Sequence, residues 1–441
     1  MYQISEKDFL PLQKLGRGSF GDVYLVKDNF PGSGKLYAMK TLNKKTRLEE
    51  SWLRYIKTER DVLALSNNPF IVKLQYAFQT ARKLFLIIDF CPGGDLETMI
   101  SEEKAPFSED KAKLFTAEIL LALKDLHARN IIYRDLKPDN VVIANDGHTK
   151  LIDFGMAKTN ITEVQKGAKT FCGSVKYLAP EMLRKIGHGQ ALDWYLLGVL
   201  LYEMLVGVTP YFSTNKDELF DNIINGKLKL PRNISIEAKS LIIGLLNRNP
   251  TRRLGAQSGA EGAEEIMRHQ FFSNIDWNLL MQKKKTGNFV PKIPKYTIAD
   301  FEEEFQETQL TKKQIEEIYY GKDEPKINKV LEKFKNSWVD GWEFIRNTAV
   351  MGSDYPDRSE DASEQTVLTK QAPVVPRQDG INKPQSSYDL SLINNAAYTP
   401  HSHTPQRQAI SSPSSMVKKT PGFTIELSNF EMFSNRHTDL S

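Results

Sequence analysis

The sequence is poor in cysteine, and its absences narrow its setting. Two cysteines, Cys91 and Cys172, stand among 441 residues. That is too few for a disulfide framework and points to a reducing compartment. No apolar run reaches the roughly 18 residues needed to span a bilayer. The start, MYQISEKDFL, has no long apolar core, so no secretory signal is expected. Tyr2 stands where a myristoyl signal needs glycine, and the final HTDLS carries no prenylation cysteine. The formal net charge of +4 is small for this length and does not suggest a nucleic-acid partner. No internal repeat is visible. A cytoplasmic protein is expected, with the nucleus as the alternative address. What is present is ordinary: 40% hydrophobic and 26% charged residues, as in a soluble globular chain. The length suggests about two or three domains.

The chemistry concentrates in Tyr133–Asn140, YRDLKPDN. It follows an apolar helical run, TAEILLALKDLHARN, and precedes a short strand-like run, VVIAN. Asp135 can accept a proton from a hydroxyl. Lys137 can steady a negative phosphoryl group, and Asn140 can offer a carbonyl oxygen to a metal. As a lone string this could be a solvated turn, so its surroundings decide.

Upstream, FLPLQKLGRGSFGDVYLV sets Gly16, Gly18 and Gly21 in a GxGxxG pattern. Dinucleotide-binding loops share it, but they must open a helix. Here DVYLV continues as β-branched and aromatic strand, so the glycines should lie in a hairpin. Lys40 lies in an apolar strand, LYAMKT, where an unpaired Lys is costly. Glu59, on the helically patterned SWLRYIKTERDVLAL, is an available partner. Ala191–Val206, ALDWYLLGVLLYEMLV, is apolar nearly all round and reads as a buried central helix.

In this order the Gly loop, Lys40, Glu59, YRDLKPDN, Asp153-Phe154-Gly155 and Ala179-Pro180-Glu181 resemble the motif set of protein kinases. The resemblance implies an α+β fold of two lobes, the N-lobe β-rich with one helix and the C-lobe mostly helical. It implies ATP and Mg2+ as cofactors. Lys40, braced by Glu59, would hold phosphates. Asp135 would be the catalytic base, with Lys137 beside it, and Asn140 and Asp153 would bind the metal. ATP would lie against Leu15, Gly16, Arg17, Gly18, Ser19, Phe20, Gly21, Asp22 and Val23. Its adenine would meet a hinge, Asp89–Cys91, behind Ile88. Cys91 reads as a packed side chain more than a reactive thiol. Asp193 would bond the catalytic-loop backbone or cap its helix, and Arg253 would pair with Glu181.

Lys137 in DLKPDN resembles serine/threonine kinases. TFCGSVKYLAPE, NPTRRLG, HQFFSNIDW and FEEEF resemble the AGC group, over roughly residues 9–345. The implied organisation is a kinase domain over 9–272, an AGC tail over 273–347 wrapped on the N-lobe, and a disordered extension over 348–441. The extension is rich in Ser, Thr, Pro, Gln and Asn. It carries Thr399-Pro400, Thr404-Pro405, Ser412-Pro413 and Thr420-Pro421, sites for proline-directed kinases or plain turns. With eight residues before the domain, no lipid-binding domain is expected upstream. The chain departs from the family at Gly287-Asn288-Phe289, where Pro-Pro-Phe is usual, and at Ser174-Val175-Lys176, where Thr-Pro-Glu is usual. Ser174 keeps a hydroxyl to bridge Asp135 and Lys137, whereas Lys176 replaces an acid.

The resemblance further implies that an upstream kinase phosphorylates Thr170, and that Arg134 and Lys158 receive the phosphate. Tyr55 stands where a helix basic residue would join them. Asp95, Asp139 and Asp221 match acids that bind Arg upstream of a phosphosite, so protein substrates with basic residues near Ser or Thr are expected. Two segments compete for the tail's hydrophobic motif. Val339–Phe344, VDGWEF, offers Trp342 and Phe344 around Glu343 as a fixed negative charge. Phe430–Ser434, FEMFS, offers a phosphorylatable Ser434. A pseudokinase scaffold is the rival reading, and intact Lys40, Asp135, Asn140 and Asp153 argue for the enzyme.

Overall fold

In the computed structural model the described residues are 3–18, 21–44, 50–103, 105–161, 168, 174–256, 259–284, 310–321, 339 and 341–346. Ser19, Phe20 and Thr170 fall outside them. So do FEEEF, Gly287-Asn288-Phe289, FEMFS and the whole of 347–441.

The N-lobe is one six-stranded sheet. It holds β1 (Phe9–Gly18), β2 (Gly21–Asp28), β3 (Leu36–Asn43), β4 (Leu74–Gln79), β5 (Lys83–Asp89) and, from the tail, β8 (Phe344–Ile345). Their order is β1-β2-β3-β5-β4-β8. The glycines close the β1–β2 hairpin, with Gly18 opposite Gly21 and Gly16 opposite Val23. Gly21 tolerates no side chain, since a Cβ there would stand 1.7 Å from the Thr41 carbonyl oxygen. One helix, α1 (Glu50–Leu65), packs on the sheet through Ile56, Val62 and Leu63.

The C-lobe is helical: α2 (Leu96–Glu102), α3 (Glu109–Ala128), α4 (Pro180–Leu183), α5 (Ala191–Val206), α6 (Lys216–Asn225), α7 (Ile236–Leu245), α8 (Ala260–Met267) and α9 (Trp277–Met281). A two-stranded ribbon, β6 (Val141–Ile143) with β7 (Thr149–Leu151), follows the catalytic loop. Helix α5 occupies the span its composition suggested and buries fourteen of its sixteen residues. It stops at Gly207, whose φ of 87° lies in the left-handed region that glycine adopts freely. Its buried acid Asp193 is fully satisfied. Oδ2 accepts from Tyr133 N at 2.9 Å and lies 2.7 Å from His127 Nε2, while Oδ1 accepts from Arg134 N at 2.8 Å. The carboxylate thus fixes the start of YRDLKPDN. Arg253 forks onto Glu181 at 2.7 and 2.9 Å, a buried bidentate pair tying the segment after the activation loop to the α7–α8 connection.

Beyond α9, the described residues of the tail form α10 (Lys312–Tyr320), with a Thr311–Gln314 capping box. Ile318 and Tyr319 bury against Phe9, Phe78 and Phe85, and the Tyr319 hydroxyl donates to Phe9 O at 2.6 Å.

Candidate active site

Four elements bring the charged groups together between the lobes. Strand β3 presents Lys40, 6% exposed, and α1 presents Glu59, 2% exposed. The ammonium donates to Glu59 Oε1 at 2.6 Å and to Asp153 Oδ1 at 3.0 Å. Burial alone would lower the Lys40 ammonium. The charges of Asp153 and Glu59 more than reverse that, so Lys40 is firmly charged. Burial likewise raises the Asp153 carboxyl, but the Lys40 charge brings it below the usual carboxylate range. Asp153 sits at φ 54°, an unfavourable backbone for a side-chain-bearing residue, which marks a position held by its surroundings.

In the catalytic loop, Asp135 Oδ2 accepts from Asn140 Nδ2 at 2.8 Å and lies 3.4 Å from Lys137 Nζ. Burial pushes the Asp135 carboxyl up, against the pull of Lys137. The Asn140 amide nitrogen also donates to Asp135 O, at 2.8 Å. Both its protons are used, and its side-chain oxygen Oδ1 accepts nothing among the described residues. Asn140 and Asp153 therefore offer a hard amide oxygen and a charged carboxylate, a donor set that suits magnesium. At the hinge, the Asp89 carboxylate is occupied by Lys150 and Gln75, each at 2.7 Å. The Cys91 N–H has no acceptor among the described residues, which leaves a donor for a planar base. Burial raises the Cys91 thiol to about 12, consistent with a packed side chain.

One expected contact is not made. Ser174 does not bridge Asp135 and Lys137. These two meet directly, Asn140 shares the carboxylate, and the Ser174 hydroxyl makes no hydrogen bond among the described residues. Asp221 lies on the exposed face of α6, accepting from Asn225 at 2.7 Å, because Leu219 and Ile223 hold the opposite face inward. A further acid, Glu203 on α5, lies within electrostatic reach of Asp139. Burial raises its carboxyl to about 7. It accepts from the Tyr177 hydroxyl and feels the charges of Glu97, Lys176 and Asp139. With Glu97, Lys176 and Phe212 it lines a cleft of about 400 Å³. Its sequence signal was available: an acid in a helix otherwise apolar needs a reason. Asp95 caps α2 through Thr98 N at 2.7 Å, and Asp139 is exposed.

Arg134 is 2% exposed, sits at φ 71°, and donates through Nε to Met156 O at 2.6 Å, while its buried Nη1 has no hydrogen-bond partner among the described residues. Lys158 exchanges backbone hydrogen bonds with Ile132 at 2.9 Å. Of the tail's candidate motif, residues 339 and 341–344 dock on the N-lobe. Trp342 is fully buried and donates from Nε1 to Phe78 O at 2.9 Å. Phe344 pairs with Ala77 across the β4 edge, and Glu343 accepts from Gln79 Nε2 at 2.8 Å.

Residues 9–272 match the protein kinase domain. The chain belongs to the protein kinase family. It is 48% identical over 283 residues to human ribosomal protein S6 kinase alpha-1, covering 64% of this chain and 38% of that protein. It is 49% identical over 282 residues to mouse ribosomal protein S6 kinase alpha-3, covering 64% and 37%. It is 47% identical over 292 residues to Xenopus laevis ribosomal protein S6 kinase 2 beta, covering 66% and 46%. The matched part spans less than half the length of each of these kinases.

Proposed function

We propose that the chain is a serine/threonine protein kinase of the AGC group that transfers the γ-phosphoryl of ATP to protein hydroxyls preceded by arginine. The observation that carries this is the single cluster in which Lys40 spans Glu59 and Asp153 while Asn140 and Lys137 hold Asp135. Asn140 and Asp153 would hold magnesium, which supplies charge neutralisation on the phosphates. Lys40 orients phosphate oxygens and keeps its charge because Glu59 braces it. Asp135 accepts the hydrogen of the incoming Ser or Thr hydroxyl and aims its oxygen. Lys137 offsets the negative charge gathering on the transferred group. Cys91 N–H and the β1–β2 hairpin fix the base and the phosphates.

Arginine preference is supported by Glu97 and Glu203, which line one cleft and both feel the Asp139 charge, since carboxylates pair guanidinium bidentately. Regulation by an upstream kinase acting on Thr170 is supported by the buried, unpartnered Nη1 of Arg134, a cation with hydrogen-bonding capacity to spare. A cytoplasmic setting fits the scarcity of cysteine. The test is Asp135→Ala. Phosphoryl transfer to an arginine-containing peptide should drop by roughly 10²–10⁴-fold while nucleotide still raises the melting temperature. Unchanged turnover would refute the assignment, and nucleotide binding without turnover in the wild type would favour a scaffold.

A further inference from the structure

We infer that Arg346 is a positioning residue for phosphoryl transfer: a cation from the tail that caps the C-terminus of α1 and so holds Glu59 against Lys40. This rests on the kinase reading above. An α-helix leaves its last carbonyls unpaired and partly negative, and a nearby cation stabilises them. Helix α1 has no basic side chain in its own last turn. The guanidinium of Arg346, some 280 residues later in sequence, stands there instead. Its Nη2 donates to the carbonyls of Leu63 at 3.0 Å, Ala64 at 3.3 Å and Ser66 at 3.5 Å. Nη1 donates to Asn67 Oδ1 at 3.0 Å, and Nε to Leu74 O at 2.7 Å. The Arg346 N–H bonds Gln75 O at 3.0 Å, extending the β8–β4 pairing by one residue. Each of the three guanidinium nitrogens is used, a reach that the single ammonium of Lys cannot copy.

The position along α1 gives the cap its leverage. Leu63 lies one helical turn beyond Glu59, the spacing at which its N–H serves the Glu59 carbonyl in a regular helix. Helix α1 ends at Leu65, so fraying from an uncapped end reaches Glu59 within about two turns. The tail touches the same helix again where the Arg60 guanidinium lies 5.8 Å from the Trp342 ring centre. The tail therefore brackets Glu59, at the neighbouring residue and at the helix end. Trp342 anchors by burial, whereas Arg346 acts on the helix terminus by charge and hydrogen bonds.

The test uses full-length Arg346→Gln and Arg346→Lys, with amide exchange along α1 and steady-state kinetics in wild-type and Glu59→Gln backgrounds. Arg346→Gln should speed exchange of the last turn of α1 and lower kcat by about 2- to 30-fold, the span expected for losing a cation at a helix C-terminus. Arg346→Lys, which keeps the charge, should fall between. In the Glu59→Gln background Arg346→Gln should lower kcat no further, because it acts through Glu59. Wild-type exchange in both variants, or an equal kcat loss in both backgrounds, would overturn the inference. The exchange arm needs no turnover. An inactive wild type would therefore count against the kinase reading, while the exchange result still decides the cap.

Discussion

On the arginine preference proposed above, the ionisation of Glu203 sets whether the cleft attracts a guanidinium. Its carboxyl, raised to about 7 by burial, is largely neutral below that pH and charged above it. A neutral acid offers a guanidinium no charge. The KM for a peptide with Arg before the phosphosite should therefore fall as pH rises through about 7, and a peptide with Ala there should show no such trend. Glu203→Gln should remove the dependence and raise KM roughly tenfold, the worth of a charge-assisted hydrogen bond of about 1.5 kcal/mol. Steady-state kinetics on the two peptides checks both, and a flat profile would remove Glu203 from substrate binding. The sequence expectation had named Asp221 in this role, and spacing alone shows that an acid is present but not which face of α6 it takes. The chemistry-bearing residues Lys40, Glu59, Asp135, Asn140 and Asp153 were legible because each sits in a run whose local pattern is unmistakable.

Elements were legible to the degree that their pattern is local. The β1–β2 hairpin followed from glycines set in a β-branched run, and α5 followed from its unbroken apolarity. Strand β8 is two residues long and has no periodicity to read, so its place at the β4 edge is decided by tertiary contacts. Arg346 left no trace for the same reason, since a cap acting across the fold has no sequence spacing. What VDGWEF did show was large apolar residues flanking an acid, and those residues dock as a unit. Trp342 dominates that docking, being fully buried and hydrogen-bonded to Phe78 O. Truncating a buried Trp costs about 3–5 kcal/mol, more than two strand residues can offset. Trp342→Ala should release β8, weaken protection of α1 and lower kcat severalfold. Amide exchange and turnover measured together check this, and wild-type values for both would show that β8 docking does not govern α1.

At the scale of the molecule, the tail completes the N-lobe. Thr80, Arg82 and Lys83, in the β4–β5 hairpin, donate to the last carbonyls of α10, from Glu317 to Tyr320. Gln79, at the end of β4, grips Val339 and Glu343. One hairpin thus holds two tail segments, and the sheet's aromatic cluster is covered only when α10 is in place. The stretch 9–272 alone would expose the faces that Ile318 and Tyr319 bury. Each such burial is worth about 1.5–3 kcal/mol. A chain ending after residue 309 should therefore lose on the order of 10 °C in melting temperature and most of its activity. All the tail contacts described lie before residue 347, so a chain ending after residue 350 should keep the melting temperature and turnover of the full protein. Thermal melts and peptide phosphorylation on the two truncations separate the cases. If ending the chain after residue 350 abolished turnover while Trp342→Ala did not, the docking role would pass to Phe430–Ser434. Loop-closure entropy does not forbid this, because doubling a loop costs only about 0.6 kcal/mol. The geometry favours VDGWEF on two counts: Trp342 already fills the site beside α1, and Glu343 brings the negative charge that Ser434 would need a phosphate to acquire.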